Sequence, residues 1–230
     1  LCVDKTGTLT ENKMEIVGII NPRGDLYEQE FDKTHEVIRY GVFASQKNPF
    51  DPMEEAFISA GKQVFGENHD LYEGSEIIRE YPLEEDMLCV VHVWGKNKKP
   101  LLIAAKGAPE TIFDLCDISP DYREQREADV KSLASKGLRV IAVAKVHLTD
   151  KLPSDRRKLK YDFVGLVGLV DPIRKEVPNA VKLCKQAGVR VVMITGDYSE
   201  TAANIAKQIG LDEKHVVTGA EFDSMSERQK

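Results

Sequence analysis

The last third of the chain alternates apolar strands with helices, and this pattern constrains the fold more than any other feature. The apolar run "FVGLVGLV" (163–170) predicts a buried strand, and a helix is predicted from about Glu176 to Ala187. The next run, "VRVVMIT" (189–195), is typical of a strand buried on both faces, and "SETAANIAKQIG" (199–210) predicts another helix. Alternation of strand and helix indicates a parallel sheet.

The middle of the chain has a different pattern. Asp51 and Pro52 open the predicted helix "DPMEEAFISAGKQVFG" (51–66). The stretches "IIREYPLEEDMLCVVHVWG" (77–95) and "KPLLIAAKG" (99–107) are predicted to be sheet strands, antiparallel across the turn from Lys96 to Lys99. The chain also opens on a short strand, "LCVD". We therefore expect a mixed α/β and α+β fold, in which an antiparallel-sheet block is inserted into a partial parallel-sheet domain.

Composition excludes several classes of function. The 230 residues carry a formal net charge of -6 with no basic stripe, so nucleic acid is not expected as a partner. The four cysteines are far apart and have no histidine at ligand spacing, which argues against a zinc site. The longest apolar run is too short to cross a bilayer, so any membrane connection is expected outside this chain.

The stretch "DKTGTLT" (4–10) carries the clearest chemistry. A strand that ends in Asp4 would place its carboxylate at the carboxyl edge of a parallel sheet, where such sheets bind ligands. An aspartate in that position can attack phosphorus and form an acyl phosphate. Thr6 stands where an aspartate could have activated water, so the acyl phosphate is expected to be long-lived. Taken alone, the same residues would also suit a surface turn.

Three further stretches suit phosphate or nucleotide binding, and each has a simpler structural interpretation. "MITGD" (193–197) fits a phosphate site at a second strand end, or a plain helix cap. "DPIR" (171–174) fits a cap with a hinge. Lys106 in "AAKGAPE" could reach a triphosphate or could simply be solvated. Arg139 places a guanidinium group, which can form two parallel hydrogen bonds, in an otherwise apolar strand.

The order and identity of these stretches resemble the P-type cation-transporting ATPases, which are ion pumps that pass through an aspartyl phosphate. "DKTGTLT", "KGAPE", "DPIR" and "ITGD" occur in the family's order over the whole chain. "KGAPE" with a sizeable inserted domain looks like the calcium and sodium–potassium pumps more than the heavy-metal pumps. The resemblance implies a haloacid-dehalogenase-like phosphorylation domain at 1–13 and 169–230, and a nucleotide-binding domain at 14–168.

The resemblance also implies roles for individual residues at the phosphorylation site. Asp4 would be the phosphorylated nucleophile, and Lys5 belongs to the same catalytic loop. Thr6 would help to bind Mg²⁺ through its carbonyl group and the phosphate through its side chain, so that Asp4 and Thr6 are the expected metal ligands. Thr195 and Gly196 would contact the phosphoryl group.

A second group of residues would bind the nucleotide. Glu54 matches the acidic residue that meets the adenine amino group, Lys106 and Gly107 would line the adenine pocket, and Arg139 would reach the ATP phosphates. The remaining residues implied to lie near the nucleotide or the hinge are Asp171, Arg174 and Asp197.

The chain departs from the family pattern at two places. Near "EYPLEEDML" (80–88) it lacks the usual phenylalanine that stacks on adenine, so that Tyr81, Leu83 or neither would take that place. The family's later lysine and its "GDGxND" motif do not occur in the 230 residues. We therefore expect the chain by itself to bind nucleotide without useful turnover, because the groups that would balance the phosphoryl charge are missing.

The expected function is that of an ATP-binding headpiece cut from a pump. In the whole pump, the γ-phosphate of ATP would pass to Asp4 and drive cation transport, with Mg²⁺ and ATP as cofactors. The expected partners are ATP, the remaining domains of the same pump, and a transported cation that would pass through a membrane domain outside this chain. The expected location is the cytoplasmic side of an integral membrane protein. An alternative is a nucleotide-binding module without turnover, and the sequence does not name the ion.

Overall fold

The structure is a computed structural model, and it describes residues 1–28, 30–67, 72, 74–149, 151–196, 199–211 and 216–225. The chain divides into two compact units. Unit 1 contains Leu1–Lys13, Ala134–Leu138 and Asp171–Lys230, and unit 2 contains Met14–Leu133 and Arg139–Val170. Unit 2 is therefore an insertion between the first residues of unit 1 and its larger C-terminal part.

Unit 2 is built on a seven-stranded sheet in which every neighbouring pair is antiparallel. The strands of this sheet are β2 (Glu15–Ile20), β3 (Leu26–Tyr27), β4 (Glu76–Tyr81), β5 (Cys89–Lys96), β6 (Lys99–Gly107), β7 (Arg139–Val146) and β8 (Tyr161–Val170). Their spatial order is β3-β2-β8-β7-β6-β5-β4. The hairpin predicted across Lys96–Lys99 is confirmed, and Lys96 is paired with Lys99.

Helices α1 (His35–Phe43) and α2 (Pro52–Phe65) cover one face of this sheet. The Asp51 side chain caps α2 by accepting hydrogen bonds from the amides of Met53 and Glu54, as the sequence predicts. Trp94 is fully buried in the core beneath these helices, and its ring stacks on Tyr72 at 4.5 Å. Apolar burial on this face therefore holds the α1–α2 connection in a defined place above the sheet.

Helices α3 (Pro109–Leu115) and α4 (Pro120–Ser135) complete unit 2. Phe163 of β8 lies between them, with its ring 5.5 Å from Phe113 and 6.2 Å from Tyr122. Because helices pack on both faces of the sheet, the central strand β8 is almost entirely apolar, and its seven consecutive residues from Phe163 to Leu169 are all buried.

Unit 1 contains a parallel pair formed by β1 (Cys2–Asp4) and β9 (Val192–Ile194), with Asp4 opposite Ile194. The opening strand therefore lies parallel to the strand within the run "VRVVMIT". The small core of unit 1 joins Leu9, Val177, Val181 and Ile209. Its helices are α5 (Val177–Gln186), α6 (Ser199–Gln208) and α7 (Gly219–Ser224).

Two predictions about strands were wrong. The run 163–170 was expected in the parallel sheet, but it forms β8, which pairs antiparallel with β2 and β7. A central antiparallel strand with helices on both faces is as apolar as a parallel strand, so periodicity could not separate the two. The run 189–195 was expected to be buried on both faces, but Val192 and Ile194 of β9 are exposed at 41% and 58%.

Within the part of the chain that the structure describes, no helix has the length and apolar character needed to span a membrane.

Candidate phosphorylation and nucleotide sites

The loop that follows β1 places Asp4 at the carboxyl end of a strand. Asp4 is exposed, and the chain behind it turns at Gly7, where φ is +76°. That value lies in the left-handed region, which glycine adopts without steric cost. Thr10 ends the loop and is completely buried, although it is a polar residue.

Thr10 connects the loop to the "DPIR" segment. Its hydroxyl group donates to Oδ2 of Asp171 at 2.6 Å and accepts from the amide of Gly7 at 3.2 Å. The other carboxylate oxygen of Asp171 accepts from the amide of Lys13 at 3.2 Å. Arg174 donates from Nη2 to the carbonyl oxygen of Gly7 at 3.1 Å. Asp171 and Arg174, both expected near the nucleotide or hinge, therefore contact the loop that begins at Asp4.

The end of β9 brings the second phosphate candidate to the same sheet edge. Thr195 and Gly196 directly follow Ile194, the parallel partner of Asp4. Thr195 is half-buried and Gly196 is exposed. The third residue of this group, Asp197, lies outside the described residues. Because β1 and β9 are parallel and end side by side, the residues that follow Asp4 and those that follow Ile194 lie at the same edge of the sheet.

The predicted metal ligands lie in the same loop. No group of three or more His, Cys, Asp or Glu side chains able to hold a metal occurs among the described residues. Asp4 and Thr6 are both exposed, and they offer a carboxylate and a carbonyl oxygen, the hard donors that Mg²⁺ prefers. The type of donor therefore fits the expected ion, and Asp4–Thr6 as its binding place stays a prediction.

Lys106 is the centre of a separate polar cluster in unit 2. Its side chain is 7% exposed, and Nζ donates to Glu54 Oε1 at 2.8 Å and to Ser45 Oγ at 2.6 Å. Nζ also lies 5.4 Å from the centre of the Phe57 ring. Burial lowers the pKa of Lys106, and the neighbouring Glu54 carboxylate opposes that shift. The two predicted nucleotide residues Glu54 and Lys106 thus form a buried ion pair.

Three residues that the sequence analysis did not single out extend this cluster. The amide of Gln46 donates to Glu54 Oε2 at 3.3 Å, and its side-chain Nε2 donates to Glu80 Oε2 at 2.8 Å. His92 is completely buried, and its Nε2 lies 3.8 Å from Glu80 Oε1, beyond hydrogen-bonding distance. Burial lowers the pKa of His92.

Strand register explains why these side chains meet. Glu80 is paired with His92, His92 with Ala104, and Lys106 follows Ala104 by two residues, so all of them point to one face of the sheet. That face also carries the α1–α2 connection with Ser45 and Gln46. Glu80 could not be found from the sequence, because its face depends on how β4 is aligned with β5 across an irregular loop.

Arg139 lies on the same face as Lys106 but farther along the sheet. Lys106 is paired with Val143 of β7, and Arg139 precedes Val143 by four residues, about 13 Å along a strand. Arg139 is exposed. Gly107, the other predicted pocket residue, is buried at the end of β6, and a Cβ there would lie 2.3 Å from the carbonyl oxygen of Leu88. Close approach of two backbones therefore explains this glycine without reference to a ligand.

Neither of the two candidates for adenine stacking, Tyr81 and Leu83, belongs to the Lys106 cluster. Tyr81 follows Glu80 by one residue and is paired with Val91, so its side chain points to the opposite face. Its hydroxyl group donates to the carbonyl oxygen of Pro153 at 2.6 Å, and the Arg79 guanidinium lies 4.6 Å from its ring centre. Leu83 is 59% exposed in the loop after β4.

Two acidic residues of that loop, Glu84 and Asp86, form ion pairs. Arg156 is buried and contacts Glu84 at 2.8 Å, and its Nη1 donates to the carbonyl oxygen of Cys89 at 2.9 Å. Arg157 donates to Asp86 Oδ2 at 2.7 Å. Glu84 and Asp86 are thus paired within unit 2.

A strand-end aspartate on a parallel pair, a tight loop behind it, and the strand and helices of unit 1 define a haloacid-dehalogenase-like domain. The model of a family described as haloacid dehalogenase-like hydrolase matches residues 1–226, and the chain belongs to this family. The predicted fold class is confirmed.

Curated relatives narrow this class and confirm the resemblance to P-type pumps. The chain is 34% identical over 202 residues to a sodium/potassium exporting P-type ATPase of Schizosaccharomyces pombe, covering 78% of the chain and 19% of the relative. It is 29% identical to calcium-transporting ATPase 1 of Bacillus cereus, in a match that covers 100% of the chain and 28% of the relative. It is 26% identical to a calcium-transporting ATPase of Bacillus subtilis, in a match that covers 100% of the chain and 31% of the relative. The chain thus spans less than a third of the length of these relatives.

Proposed function

We propose that the chain is the ATP-binding headpiece of a P-type cation-transporting ATPase, in which Asp4 accepts the γ-phosphate of ATP. The observation that carries the proposal is the loop that begins at the end of β1. Asp4 is exposed there at the edge of the sheet, and the hydrogen bond from Thr10 to Asp171 anchors the far end of the loop. The likeness to cation pumps over the whole chain supports the same function. Transport itself would require the parts of such a pump that lie outside this chain.

The chemistry assigned to Asp4 is in-line transfer of a phosphoryl group. A carboxylate oxygen of Asp4 attacks the γ-phosphorus, the bond from that phosphorus to the β,γ-bridging oxygen breaks, and ADP leaves with the bond's electron pair. Oxygen donors at Asp4 and Thr6 suit Mg²⁺, which when bound neutralises the charge on the phosphoryl oxygens. The Gly7 amide donates to the Thr10 hydroxyl group and the Gly7 carbonyl oxygen accepts from Arg174, and these bonds hold the loop so that little reorganisation is needed.

The nucleotide is assigned to the face of unit 2 that carries Lys106 and Arg139. Glu54 and Lys106 form a polar cluster at one end of this face, and the exposed Arg139 lies at the other end, about 13 Å farther along the strands. Arg139 is suited to phosphate because its guanidinium is always charged and offers paired donors.

Nucleotide binding is tested by isothermal titration of the chain with MgATP. Arg139→Ala and Lys106→Ala should each weaken binding, whereas Lys99→Ala, an exposed residue at the far end of β6, should not. Circular dichroism of each variant separates lost binding from lost folding. Equal affinity for all four proteins would contradict the assigned face.

Phosphoryl transfer is tested in the full-length protein that contains this chain. Labelled γ-phosphate from ATP should become incorporated in an acid-stable, hydroxylamine-sensitive form, as expected for an acyl phosphate, and Asp4→Asn should abolish it. The matched control is Asp25→Asn, an exposed aspartate in unit 2 that should leave labelling unchanged. Labelling that survives in Asp4→Asn would remove Asp4 from the mechanism.

A further inference from the structure

Among the large apolar side chains that the structure describes, Phe50 is the most exposed, at 99%. It lies in the connection between α1 and α2, directly before Asp51, the residue that caps α2. An aromatic ring usually loses most of its contact with water when a chain folds, because its apolar area is large. Phe50 therefore presents a ring that has almost no contact with the rest of the described chain.

Hydrogen bonds hold the connection that carries Phe50 against the Lys106 cluster. At the start of the connection, Ser45 Oγ accepts from Lys106 Nζ at 2.6 Å, and the amide of Gln46 donates to Glu54 Oε2 at 3.3 Å. At its end, the carboxylate that caps α2 accepts from two backbone amides. Both ends of the connection are therefore fixed, and the exposed ring lies close to the cluster.

Chain geometry limits the distance between Phe50 and Glu54. Phe50 precedes Glu54 by four residues, and Glu54 is the third residue of α2. The first helical turn brings the Cα atoms of Asp51 and Glu54 within about 5.5 Å, and one more peptide unit adds 3.8 Å at most. The Cα atoms of Phe50 and Glu54 are therefore no more than about 9 Å apart, so a single ligand ring can contact both side chains.

An apolar surface of β5 lies open beside the same cluster. Val90 is the direct strand partner of Lys106 and is half-buried. Leu88 is 43% exposed, and its carbonyl oxygen continues the ladder by accepting from the amide of Ala108 at 2.8 Å. Because side chains alternate along a strand, Leu88 and Val90 lie on the face that carries Lys106. Exposed apolar surface around a few fixed polar groups is typical of a site for a small ligand.

We propose that Phe50 stacks on the purine ring of the bound nucleotide and supplies the aromatic contact that the chain lacks near residues 80–88. This inference rests on the proposed nucleotide binding. Tyr81, the aromatic candidate of that stretch, points to the opposite face of the sheet. Phe50 is free to bury its ring against a ligand without losing a contact within the protein. Stacking uses the flat face of the base, so the assignment of its amino group to Glu54 is unaffected.

The experiment is isothermal titration of the chain and its variants with MgATP and with tripolyphosphate, which has no base. Phe50→Ala should weaken ATP binding about tenfold, because it removes the stacking ring, whereas Phe50→Trp should keep the affinity. The affinity for tripolyphosphate should not change in either variant. Phe222→Ala makes the same truncation at an exposed phenylalanine of unit 1 and should leave ATP binding unchanged.

Fluorescence gives a second measurement of the same contact. The native Trp94 is the only tryptophan and is buried, so the indole introduced by Phe50→Trp adds emission from an exposed position. ATP should quench this added emission and tripolyphosphate should not, with the unchanged chain as the reference. The midpoint of urea unfolding should be the same for Phe50→Ala and the unchanged chain, because the ring packs against nothing in the fold.

The outcomes separate this inference from the proposed function. An unchanged ATP affinity in Phe50→Ala, with ATP still bound, overturns the role of Phe50 and leaves nucleotide binding intact. Equal losses of ATP and tripolyphosphate affinity in that variant also overturn it, because a ligand without a base cannot stack. Failure of the unchanged chain to bind ATP overturns the proposed function, and the inference with it.

Discussion

At the scale of single residues, the buried pair formed by Lys106 and Glu54 shows how a binding residue can also be part of the fold. Both side chains are largely removed from water and separated by 2.8 Å. Removing one partner leaves the other charge buried and uncompensated, a larger cost than the pair's own net contribution. Any effect of a Lys106 variant on binding must therefore be separated from its effect on stability.

We predict that Lys106→Ala lowers the free energy of unfolding by about 3 kcal/mol, because it leaves the Glu54 carboxylate without its partner. The double variant Lys106→Met with Glu54→Gln should lose less, since it removes both charges and keeps the volume. Urea unfolding followed by the fluorescence of Trp94 measures both values. Equal losses in the single and double variants would show that the pair is not coupled.

His92 gives a prediction for the dependence of stability on pH. Burial holds its folded-state pKa below the ordinary value, Lys106 acts in the same direction, and Glu80, Glu54 and the nearby backbone of Ser45 oppose the shift. The unfolded chain therefore binds the proton more tightly, and protonation below pH of about 6.5 favours unfolding. The chain should lose stability relative to His92→Asn as the pH falls from 7.5 to 5.5, by at most about 1.4 kcal/mol per pH unit.

The measurement is urea unfolding of both proteins at several pH values in this range. Ordinary carboxylates titrate in both proteins, so their contribution cancels in the difference. His35→Asn, which removes an exposed histidine, serves as the control and should follow the unchanged chain. A pH-independent difference between the chain and His92→Asn would mean that His92 keeps an ordinary pKa.

At the scale of elements, a buried hydroxyl group is central to the connection between the first loop and the "DPIR" segment, which backbone hydrogen bonds complete. Thr10 is the last residue of "DKTGTLT", and its bond of 2.6 Å to Asp171 joins segments that are 161 residues apart in the chain. The Arg174 amide donates to the carbonyl oxygen of Leu9 at 3.0 Å, and Thr10 forms a bridge with Ile173. The segment after unit 2 thus shapes the loop that begins at Asp4.

We predict that Thr10→Val destabilises unit 1 by about 1–3 kcal/mol, because Asp171 loses its donor and the Gly7 amide loses its acceptor while the shape of the side chain is kept. Hydrogen exchange of the Gly7 amide should become faster. Thr8→Val, at an exposed position of the same loop, should change stability by less than about 0.5 kcal/mol. Exchange at Gly7 that is equally slow in both variants would argue against this connection.

At the scale of the whole molecule, unit 2 is an insertion whose two ends meet. Glu15 near its start is the direct strand partner of Val170 at its end. Because both ends lie on neighbouring strands of one complete sheet, cutting the chain there separates no hydrogen-bonded pair within the sheet.

We predict that residues 14–170 made alone fold cooperatively. Trp94, the only tryptophan, should keep a blue-shifted fluorescence because it is fully buried within this unit. Urea unfolding should show one transition, and ATP should bind as tightly as it does to the whole chain if the proposed face is correct. A broad transition with a red-shifted tryptophan from the outset would show that unit 2 depends on unit 1.

The sequence by itself determined the local features of this protein. The Asp51 cap and Pro52 define the start of α2, the hairpin across Lys96–Lys99 has its predicted turn, and "DKTGTLT" follows a short strand as expected. These features depend on neighbouring residues, whose conformational preferences are set within a few positions. The motifs were also enough to indicate the haloacid-dehalogenase-like class.

Only the tertiary structure decided which distant residues meet. It placed β8 in the antiparallel sheet, turned Tyr81 away from Lys106, and brought Glu80 and His92 beside it. A strand's apolar pattern shows how many of its faces are covered but not which strand lies beside it, and a shift of one residue in register exchanges the faces. The side chains that meet around Lys106 depend on that register, so their grouping could be recognised only once the strands were paired.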